Sequence, residues 1–204
     1  LGHPDGGELP RWKAGAHVDV HVPNGELEPF VRQYSLSSDP AERTTYRIGV
    51  LREVSGRGGS AAVHENLVPG ARVTVSWPRN NFRLAPSESY VFIAGGIGIT
   101  PILPMLERAR DSGHPWRLHY VGKSLATMPF KDLVAGPGTH LWATNRTGRP
   151  RLDSMVEDMP PGSAVYCCGP ESLLDDIESR ARRLVERMAL VLQGSLLVRL
   201  LEPW

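Results

Sequence analysis

The stretch Tyr90–Pro101, YVFIAGGIGITP, decides the fold of the second half of this 204-residue chain. It opens with a continuous apolar run, which is typical of a strand covered on both faces. Gly95, Gly96 and Gly98 follow, and because they lack a Cβ, a diphosphate can approach their backbone closely. A glycine turn that ends a buried strand and opens a helix predicts an anion-binding site.

The residues after the turn support the start of a helix. Thr100 would cap this helix, and Pro101 suits its first position. The stretch is not a complete GxGxxG, because Pro101 stands where the third glycine would be. A tight turn that binds nothing is the alternative, but the strand–turn–helix context favours a bound phosphate.

Strands and helices alternate through the rest of the second half. The predicted strands are Tyr90–Ala94, Trp116–Val121, His140–Ala143 and Ser163–Cys167, and the predicted helices are Pro101–Ser112, Leu152–Met159 and Glu171–Leu190. Such alternation implies right-handed βαβ units on a parallel sheet. We therefore expect residues 86–204 to form a half-Rossmann α/β domain.

Short alternating strands separated by turn residues characterise the first half, as in Ala16–Val22, where valines alternate with polar residues. The other predicted elements are strands at Val31–Ser37, Tyr46–Arg52 and Arg72–Trp77 and one short helix at Ala61–Leu67. This pattern predicts a small barrel or sandwich over residues 1–85, and we take the β-barrel as the prediction. The two histidines of the first strand, His17 and His21, are expected at the surface.

A second candidate site lies in the first half, in RQYSLSSDP at Arg32–Pro40. On a strand, Arg32 and Tyr34 share one face, and Gln33 and Ser35 share the other. Arg32 would pair with a phosphate in bidentate fashion, Tyr34 would stack on a flat ring, and Ser35 would hydrogen-bond a ring nitrogen. An ordinary exposed strand with a solvated arginine is the alternative.

The loop GRGGS, Gly56–Ser60, is a second possible phosphate site. Gly58 and Gly59 would expose their N–H groups in front of a short helix that Ser60 would cap. Considered alone, this stretch is predicted to be a flexible surface loop. The phosphate site is favoured only when the loop is considered together with Arg32.

The motif YCCGPE, Tyr166–Glu171, closes a buried strand and opens the last helix. It stands at the carboxyl end of a strand, where open α/β sheets bind ligands. Cys168 is a candidate for contact with a substrate ring. The alternative is a buried thiol that acts as a small hydrophobic residue.

Composition excludes several classes of protein. A net charge of +1 provides no global field for nucleic acid or an anionic membrane. The two cysteines, Cys167 and Cys168, are neighbours, which excludes a disulfide framework, a four-cysteine zinc site and a complete iron–sulfur cluster within this chain. The histidines show no metal spacing, and we expect no metal site. Free thiols and the absence of a recognisable signal peptide or membrane span predict a cytoplasmic protein.

In their order along the chain, RxYSL, GGS, GGIGITP and CCGP closely resemble the ferredoxin-reductase superfamily, and within it the phthalate dioxygenase reductase and vanillate O-demethylase reductase branch. The resemblance extends to about Arg183. It implies an NAD(P)H-dependent oxidoreductase in which hydride passes from nicotinamide to a flavin and single electrons pass on to an iron–sulfur acceptor that serves an oxygenase or demethylase. FMN is expected rather than FAD, and NADH is preferred with NADPH as the alternative. The implied partner is a separate ferredoxin or oxygenase component.

The resemblance also assigns residues to the barrel and to the α/β domain. Those implied to take part in catalysis are Ser35, Thr100 and Cys168. Those implied to bind the flavin are Arg32, Gln33, Tyr34, Ser35, Gly49, Val50, Leu51, Arg57, Gly58, Gly59 and Ser60. Those implied to bind the nicotinamide dinucleotide are Gly95, Gly96, Gly98, Thr100, Pro101, Lys123, Ser124, Cys168, Gly169 and Pro170. Lys123 would either meet a ribose 2′-phosphate or stay solvated.

The sequence also departs from the family. The usual first barrel strand and the C-terminal [2Fe–2S] domain are not recognised, and the tail from about residue 184 does not match the family pattern. A truncated, non-catalytic module that binds flavin or nucleotide is therefore the alternative function.

Overall fold

The chain divides into two compact units, Leu1–Arg83 and Leu84–Trp204. The structure is a computed structural model that describes residues 1–25, 27–56, 58–151, 154–155, 160, 162–184, 189–193 and 198–200. An antiparallel sheet characterises the first unit, and a mainly parallel sheet with helices characterises the second. The predicted order of these two types of structure along the chain is confirmed.

The first unit is built around a three-stranded antiparallel sheet of order β2–β1–β3. Its strands are β1 (His17–Asn24), β2 (Leu27–Ser35) and β3 (Thr74–Val75). Alternate side chains of the central strand enter the core, where Val18, Val20 and Val22 are fully buried. Trp12, Leu36, Tyr46 and Val63 complete this core from the surrounding segments. The alternation in the sequence therefore identified the buried face of β1 correctly.

Two predicted strands of this unit are shorter than expected. In Tyr46–Arg52 only an isolated bridge forms, between Ile48 and Leu36. Tyr46 and Ile48 still pack on the core, but the hydrogen-bonded ladder does not continue past this bridge. Arg72–Trp77 contributes only the two residues of β3. Side-chain periodicity thus identified the core contacts without specifying how far the backbone pairing extends.

The short helix α1 covers Gly59–Asn66, two residues earlier than predicted at its start. Gly58 precedes it in the left-handed conformation (φ 82°), which a residue with a side chain rarely adopts. The expectation of a surface position for His17 is wrong: its side chain is 2% exposed, although His21 is partly exposed. Burial of the ring is the main cause of the lowered pKa of His17, and the positive charge of Arg79 adds to it.

The second unit contains a six-stranded sheet of order β6–β5–β4–β7–β8–β9. Its strands are β4 (Tyr90–Gly95), β5 (Trp116–Gly122), β6 (Thr139–Ala143), β7 (Ala164–Cys168), β8 (Ala189–Gln193) and β9 (Val198–Leu200). Its helices are α2 (Ile99–Ser112), α3 (Lys131–Val134), α4 (Thr144–Thr147) and α5 (Glu171–Leu184). Strands β4 to β8 pair in parallel, and β9 pairs antiparallel with β8.

The central strand β4 is buried along its whole length, as its apolar run predicts. Tyr90 and Phe92 stack on one face of the sheet, with ring centroids 5.9 Å apart. Val91 and Ile93 enter the core on the other face, together with Cys167. Burial on both faces explains why this strand is continuously apolar rather than alternating.

The end of the last helix differs from its prediction. Helix α5 ends at Leu184, whereas the prediction extended it to Leu190. The apolar residues of Ala189–Gln193 instead form β8, the fifth parallel strand, because they pair with β7 along its length. Most of the predicted helix Leu152–Met159 lies outside the described residues. Among the described residues, no helix has the length and apolar character needed to cross a membrane.

Candidate functional site

Arg32 and the loop before α1 form the first candidate site. A Cβ at Gly59 would collide with the Arg32 guanidinium, lying 2.5 Å from its Cζ. The guanidinium also lies over the Phe30 ring, with Cζ 5.1 Å from the ring centroid. Arg32 is therefore held between an aromatic ring and the first residue of a helix, because a glycine leaves room for it. The structure thus brings together two motifs that are 27 positions apart in the sequence.

The charge of Arg32 is not neutralised by the described part of the chain. One guanidinium nitrogen, Nη1, donates to the Val31 carbonyl at 2.9 Å. No carboxylate among the described residues forms an ion pair with it. A guanidinium has five N–H donors, so most remain available to an anion. A phosphate group fits these donors in charge and in hydrogen-bonding capacity.

Ser60 has a different role from the one expected. It is the second residue of α1 rather than its cap, because the left-handed Gly58 already ends the preceding loop. Its hydroxyl accepts a hydrogen bond from the backbone N–H of Glu53 at 3.0 Å. The expectation that Ser60 caps the helix is therefore wrong, and its hydroxyl instead ties the start of the helix to Glu53.

Gly49, Val50 and Leu51 lie in an irregular segment beside the same helix. The Val50 carbonyl is 3.1 Å from Nε2 of His64 in α1, and the Val50 side chain packs against the core. Leu51 is 56% exposed. Arg57, the remaining residue implied to bind flavin in this loop, lies outside the described residues.

The other residues of the RQYS motif follow the predicted alternation of β2. Tyr34 is on the Arg32 side and packs against the core, and burial raises the pKa of its hydroxyl. Gln33 is on the opposite side, 3.5 Å from an oxygen of Asp19. Ser35 pairs with His17 across the sheet and is half-buried. The Ser35 hydroxyl forms no hydrogen bond with another described residue, so it remains free to bind a ligand.

In the second unit, the turn after β4 packs tightly against the loop after β7. A Cβ at Gly98 would lie 2.5 Å from the Cys168 carbonyl carbon and 2.8 Å from the Gly169 nitrogen. A Cβ at Gly95 would lie 2.7 Å from Cδ of Pro170. The fold itself therefore requires glycine at two positions of the turn, whether or not a diphosphate binds there.

Gly96 differs from its two neighbours. It has φ 53°, and a Cβ built there would meet nothing within 4 Å. Its carbonyl accepts a hydrogen bond from the Tyr120 hydroxyl at 3.0 Å, and the same hydroxyl lies 2.8 Å from the Pro129 carbonyl. Burial raises the pKa of Tyr120, which keeps this donor protonated. Sequence reasoning missed Tyr120, because nothing in the WRLHYVG run marks it as a partner of the glycine turn.

Thr100 does not cap the helix as predicted. A single 3₁₀ turn, Gly96–Gly98, leads directly into α2, so the helix has already begun at Ile99. The Thr100 side chain is 5% exposed, and its hydroxyl donates to the Ile97 carbonyl at 3.0 Å. Pro101 is the third residue of α2 rather than the first, and it is buried. Toward a ligand, the Thr100 hydroxyl therefore offers only its acceptor lone pairs.

Cys168 ends β7 and is half-buried, whereas Cys167 points into the core. Burial raises the pKa of the Cys168 thiol to about 12. At neutral pH the thiol is protonated, and it can contact a ligand but is a poor nucleophile. The next residues, Gly169 and Pro170, lead into α5, where Pro170 accepts hydrogen bonds from the N–H groups of the first turn.

Lys123 and Ser124 directly follow β5. Lys123 is exposed, and the Ser124 and Thr127 hydroxyls lie 3.0 Å apart in a capping box. No group of histidine, cysteine, aspartate or glutamate side chains in the described part of the chain is arranged to hold a metal ion.

The order of the parallel strands identifies the class of protein. Counted from β4, the strands β6–β5–β4–β7–β8 have the order 3-2-1-4-5, with a glycine turn after the first strand. Combined with the antiparallel sheet of the first unit, this order defines the ferredoxin-reductase-like fold.

Known proteins place the chain more narrowly. No family model matches it. Vanillate O-demethylase oxidoreductase from Pseudomonas putida is 47% identical over 191 residues, which cover 86% of this chain and 56% of that protein. Phenoxybenzoate dioxygenase subunit beta from Ectopseudomonas oleovorans is 44% identical over 176 residues, which cover 84% of this chain and 54% of that protein.

A solved structure gives the same result. Phthalate dioxygenase reductase, described as a modular structure for electron transfer from pyridine nucleotides to [2Fe–2S], superposes with a TM-score of 0.84 at 33% identity. The match covers 95% of this chain and 61% of that chain. The chain is therefore similar, over most of its length, to members of the phthalate dioxygenase reductase and vanillate O-demethylase reductase family. It spans about half the length of the curated relatives it matches.

Proposed function

We propose that the chain is the reductase portion of an oxygenase or demethylase system, which takes hydride from a reduced nicotinamide dinucleotide and delivers single electrons to an iron–sulfur acceptor. In this proposal the first unit binds FMN and the second binds NAD(P)H. The flavin, when bound, supplies the conversion between a two-electron hydride and single electrons. The relatives support this function, since one is a demethylase oxidoreductase and another a reductase that transfers electrons from pyridine nucleotides.

The contact between Arg32 and Gly59 is the observation that carries the proposal. A guanidinium that no described carboxylate neutralises, beside the N-terminus of a helix, would suit a terminal phosphate, which FMN carries. Gly58, Gly59 and Ser60 would supply the backbone N–H groups of this site, and Arg57, the preceding residue in the sequence, is proposed as a further contact. Such a site binds the monophosphate end of FMN without needing the adenosine part of FAD.

The remaining residues of the first unit would orient the flavin ring. Tyr34 would lie along it, the free hydroxyl of Ser35 would hydrogen-bond a ring nitrogen near N5, and residues 49–51 would line one edge. Gln33 lies on the other face of β2 and would contribute from the Ser35 side. Held in this way, the ring would keep one orientation on the first unit.

In the second unit, the open side of Gly96 and the N-terminus of α2 would receive the diphosphate of the dinucleotide. Thr100, Cys168, Gly169 and Pro170 would contact the nicotinamide. The neutral thiol of Cys168 and the acceptor lone pairs of Thr100 would position that ring without covalent chemistry. The electron acceptor would be a separate ferredoxin, an oxygenase component or a domain outside this chain.

The test is an anaerobic titration of the full chain after incubation with FMN, and in parallel with FAD. We expect the chain to bind FMN and to lose the flavin absorbance when NADH or NADPH is added. Arg32→Ala should raise the Kd for FMN about tenfold or more, since a phosphate loses its charged partner. The matched control is Arg72→Ala, because Arg72 is another arginine of this unit but is exposed and lies outside the loop.

Two results would contradict the proposal. A chain that binds neither flavin and leaves NAD(P)H unoxidised would exclude a reductase. A chain that binds flavin but shows no loss of absorbance with either dinucleotide would select the non-catalytic binding module instead. Equal FMN affinity in Arg32→Ala and the parent would remove Arg32 from the site without excluding flavin binding elsewhere.

A further inference from the structure

His17, the first residue of β1, is a buried side chain whose polar atoms have no partner. Solvent reaches neither ring nitrogen, and neither nitrogen forms a hydrogen bond with another residue that the structure describes. His119 is also buried, but its Nδ1 accepts a hydrogen bond from the Trp142 indole at 3.3 Å. Within the described part of the chain, His17 is therefore the one side chain with two buried atoms that lack a partner.

A buried imidazole without hydrogen bonds is unfavourable, because it has lost its contacts with water and gained none in exchange. Burial and the nearby Arg79 hold the pKa of His17 below its ordinary value of 6.5, although Asp19 opposes them, so the ring is neutral at neutral pH. A neutral imidazole has one N–H donor and one acceptor nitrogen. An unsatisfied group of this kind in a folded protein requires a specific explanation.

The hydrogen bonds of the sheet bring the Ser35 side chain next to this ring. His17 and Ser35 are directly opposite each other in β1 and β2. The backbone of His17 exchanges its two hydrogen bonds with Arg79 on the other side, at 2.8 and 2.9 Å, and the Leu36 N–H donates to the Ala16 carbonyl at 2.9 Å. His17 and Ser35 thus form a non-hydrogen-bonded pair, in which Cβ atoms lie about 4.5–5.5 Å apart.

Ser35 connects the buried ring to the surface of the first unit. Its side chain is on the same face of the sheet as His17, opposite to the face on which Val18 and Tyr34 pack into the core. Ser35 is half-buried, and its hydroxyl forms no hydrogen bond with another described residue. Rotation about χ1 moves a serine hydroxyl among three staggered positions, and at this Cβ separation a hydroxyl turned toward the ring lies within hydrogen-bond reach.

The charged neighbours on this face are already engaged with one another. The Arg79 guanidinium lies 2.6 Å from the Asp19 carboxylate, and the Gln33 amide lies 3.5 Å from the other oxygen of Asp19. Among the described residues of this face, the Ser35 hydroxyl is therefore the uncommitted group beside the imidazole.

We propose that His17 is a positioning residue that donates a hydrogen bond to the Ser35 hydroxyl oxygen and directs the hydroxyl proton toward the bound flavin. The inference rests on the proposed function, in that the first unit binds flavin and Ser35 contacts its ring. A serine hydroxyl has one proton and two acceptor lone pairs. A donor behind the hydroxyl occupies a lone pair, so the proton is left for the ligand, and the buried N–H gains its missing partner.

The first test is a double-variant cycle on FMN affinity, measured by titration of the full chain. Ser35→Ala should raise the Kd about fivefold, and His17→Phe should raise it by a similar or smaller factor, as the loss or misdirection of one hydrogen bond requires. In the Ser35→Ala background, His17→Phe should have no further effect. His21→Phe is the matched control, because His21 is on the same strand and face but opposite Val31, and it should keep the parent Kd.

Unfolding by denaturant in the absence of flavin distinguishes this role from a structural one. His17→Phe replaces an unsatisfied ring by an apolar ring of similar shape, so the midpoint should equal or exceed that of the parent. His17→Gln retains an N–H donor and should recover part of the FMN affinity that His17→Phe loses.

The imidazole ¹⁵N signals of His17 provide a direct measurement of the proposed bond. These signals are assigned by their loss in His17→Phe, since the chain has seven histidines. Addition of FMN should shift the signal of the protonated ring nitrogen in the parent and leave it unchanged in Ser35→Ala.

The outcomes separate this inference from the proposed function. Parent FMN affinity in His17→Phe, with a His17 signal that FMN does not shift, would overturn the inference and leave flavin binding intact. Additive losses in the double variant would overturn it as well, because His17 would then act independently of Ser35. A lower unfolding midpoint for His17→Phe, with no recovery of affinity in His17→Gln, would make His17 a structural residue. A chain that binds neither FMN nor FAD would overturn both proposals.

Discussion

The two glycine-rich loops of this protein differ in what fills the space that a side chain would occupy. Beside Gly59 the space is filled by the guanidinium of Arg32, which comes from β2 and forms no ion pair with a carboxylate of the described residues. Beside Gly95 and Gly98 it is filled by the loop after β7, including the backbone of Cys168. The first loop therefore uses glycine to admit a charged group, and the second uses it to bring two stretches of chain into contact.

The comparison shows that a glycine motif does not by itself indicate a close approach by a phosphate. In the turn after β4, only Gly96 has an open side. The atom that a Cβ would meet decides the outcome of a substitution, because a flexible side chain can move aside and a backbone cannot. Substitutions in the two loops should consequently change different properties of the protein.

The largest effect is expected for Gly98→Ala. The new methyl group would overlap the Cys168 carbonyl, so the two loops must separate, which should lower the free energy of unfolding by about 3 kcal/mol. Gly96→Ala meets no atom and should lose only about 1 kcal/mol, from the left-handed backbone. Denaturant unfolding of both variants measures the difference.

Equal losses for the two variants would contradict the view that backbone contact fixes the second loop. A stable Gly98→Ala protein that fails to bind 5′-AMP would instead assign the glycine directly to the ligand.

The next effect is expected for Gly59→Ala, and it should appear in binding rather than in stability. The methyl group would displace the Arg32 guanidinium and raise the Kd for FMN about tenfold, whereas the unfolding free energy should change little because the arginine side chain can move. Gly7→Ala is a suitable control, because a Cβ there makes only ordinary contact with His3.

A double-variant cycle strengthens this test. If Gly59 acts only by admitting Arg32, the affinity of Arg32→Ala should not fall further when Gly59→Ala is added. Additive losses would show that Gly59 contributes to phosphate binding by itself.

The sequence predicted the architecture well, because periodicity reports burial directly. The continuous apolar run of β4 and the alternation of β1 both led to the correct buried faces. Backbone pairing was predicted less well. Tyr46–Arg52 alternates like a strand but forms only a bridge, and the segment Ala189–Gln193 pairs with β7 although it was assigned to a helix.

Most features of the site that the sequence did not reveal are contacts between residues that are far apart in the sequence. The RQYS and GRGGS motifs were identified, but the packing of Arg32 on Gly59 depends on how α1 packs on the sheet. Tyr120 was missed because its hydroxyl bonds to carbonyls, which carry no side-chain signature. Thr100 and Ser60 were both predicted to be helix caps, but each helix starts earlier. Helix α1 begins at Gly59, and α2 begins at Ile99, directly after the glycine turn.

A smaller effect is expected for Tyr120→Phe. This substitution tests whether the Tyr120 hydroxyl stabilises the glycine turn after β4. The substitution removes the hydroxyl whose single proton is shared between the Gly96 and Pro129 carbonyls. A partly buried carbonyl is then left without its donor, at a cost of about 1 kcal/mol in unfolding free energy. Tyr46→Phe is a comparable control in the first unit, where the hydroxyl donates to the Pro10 carbonyl. A Tyr120→Phe variant as stable as the parent would show that the turn holds its shape without this bond.

The smallest effect is expected for the thiol of Cys168, the residue whose backbone packs against Gly98. Burial raises its pKa from an ordinary value of 9.0 to about 12, so its contribution to stability is fully present below pH 9 and is lost as the pH rises toward 12.

Alkylation by iodoacetamide in a Cys167→Ser background, where Cys168 is the one remaining cysteine, should be slow at pH 8 and increase up to about pH 12 without a plateau. A plateau near pH 8 would mean that the surroundings stabilise a thiolate. Cys168 would then be a chemically reactive group, and the second loop could no longer be regarded as one whose role is to pack and to position.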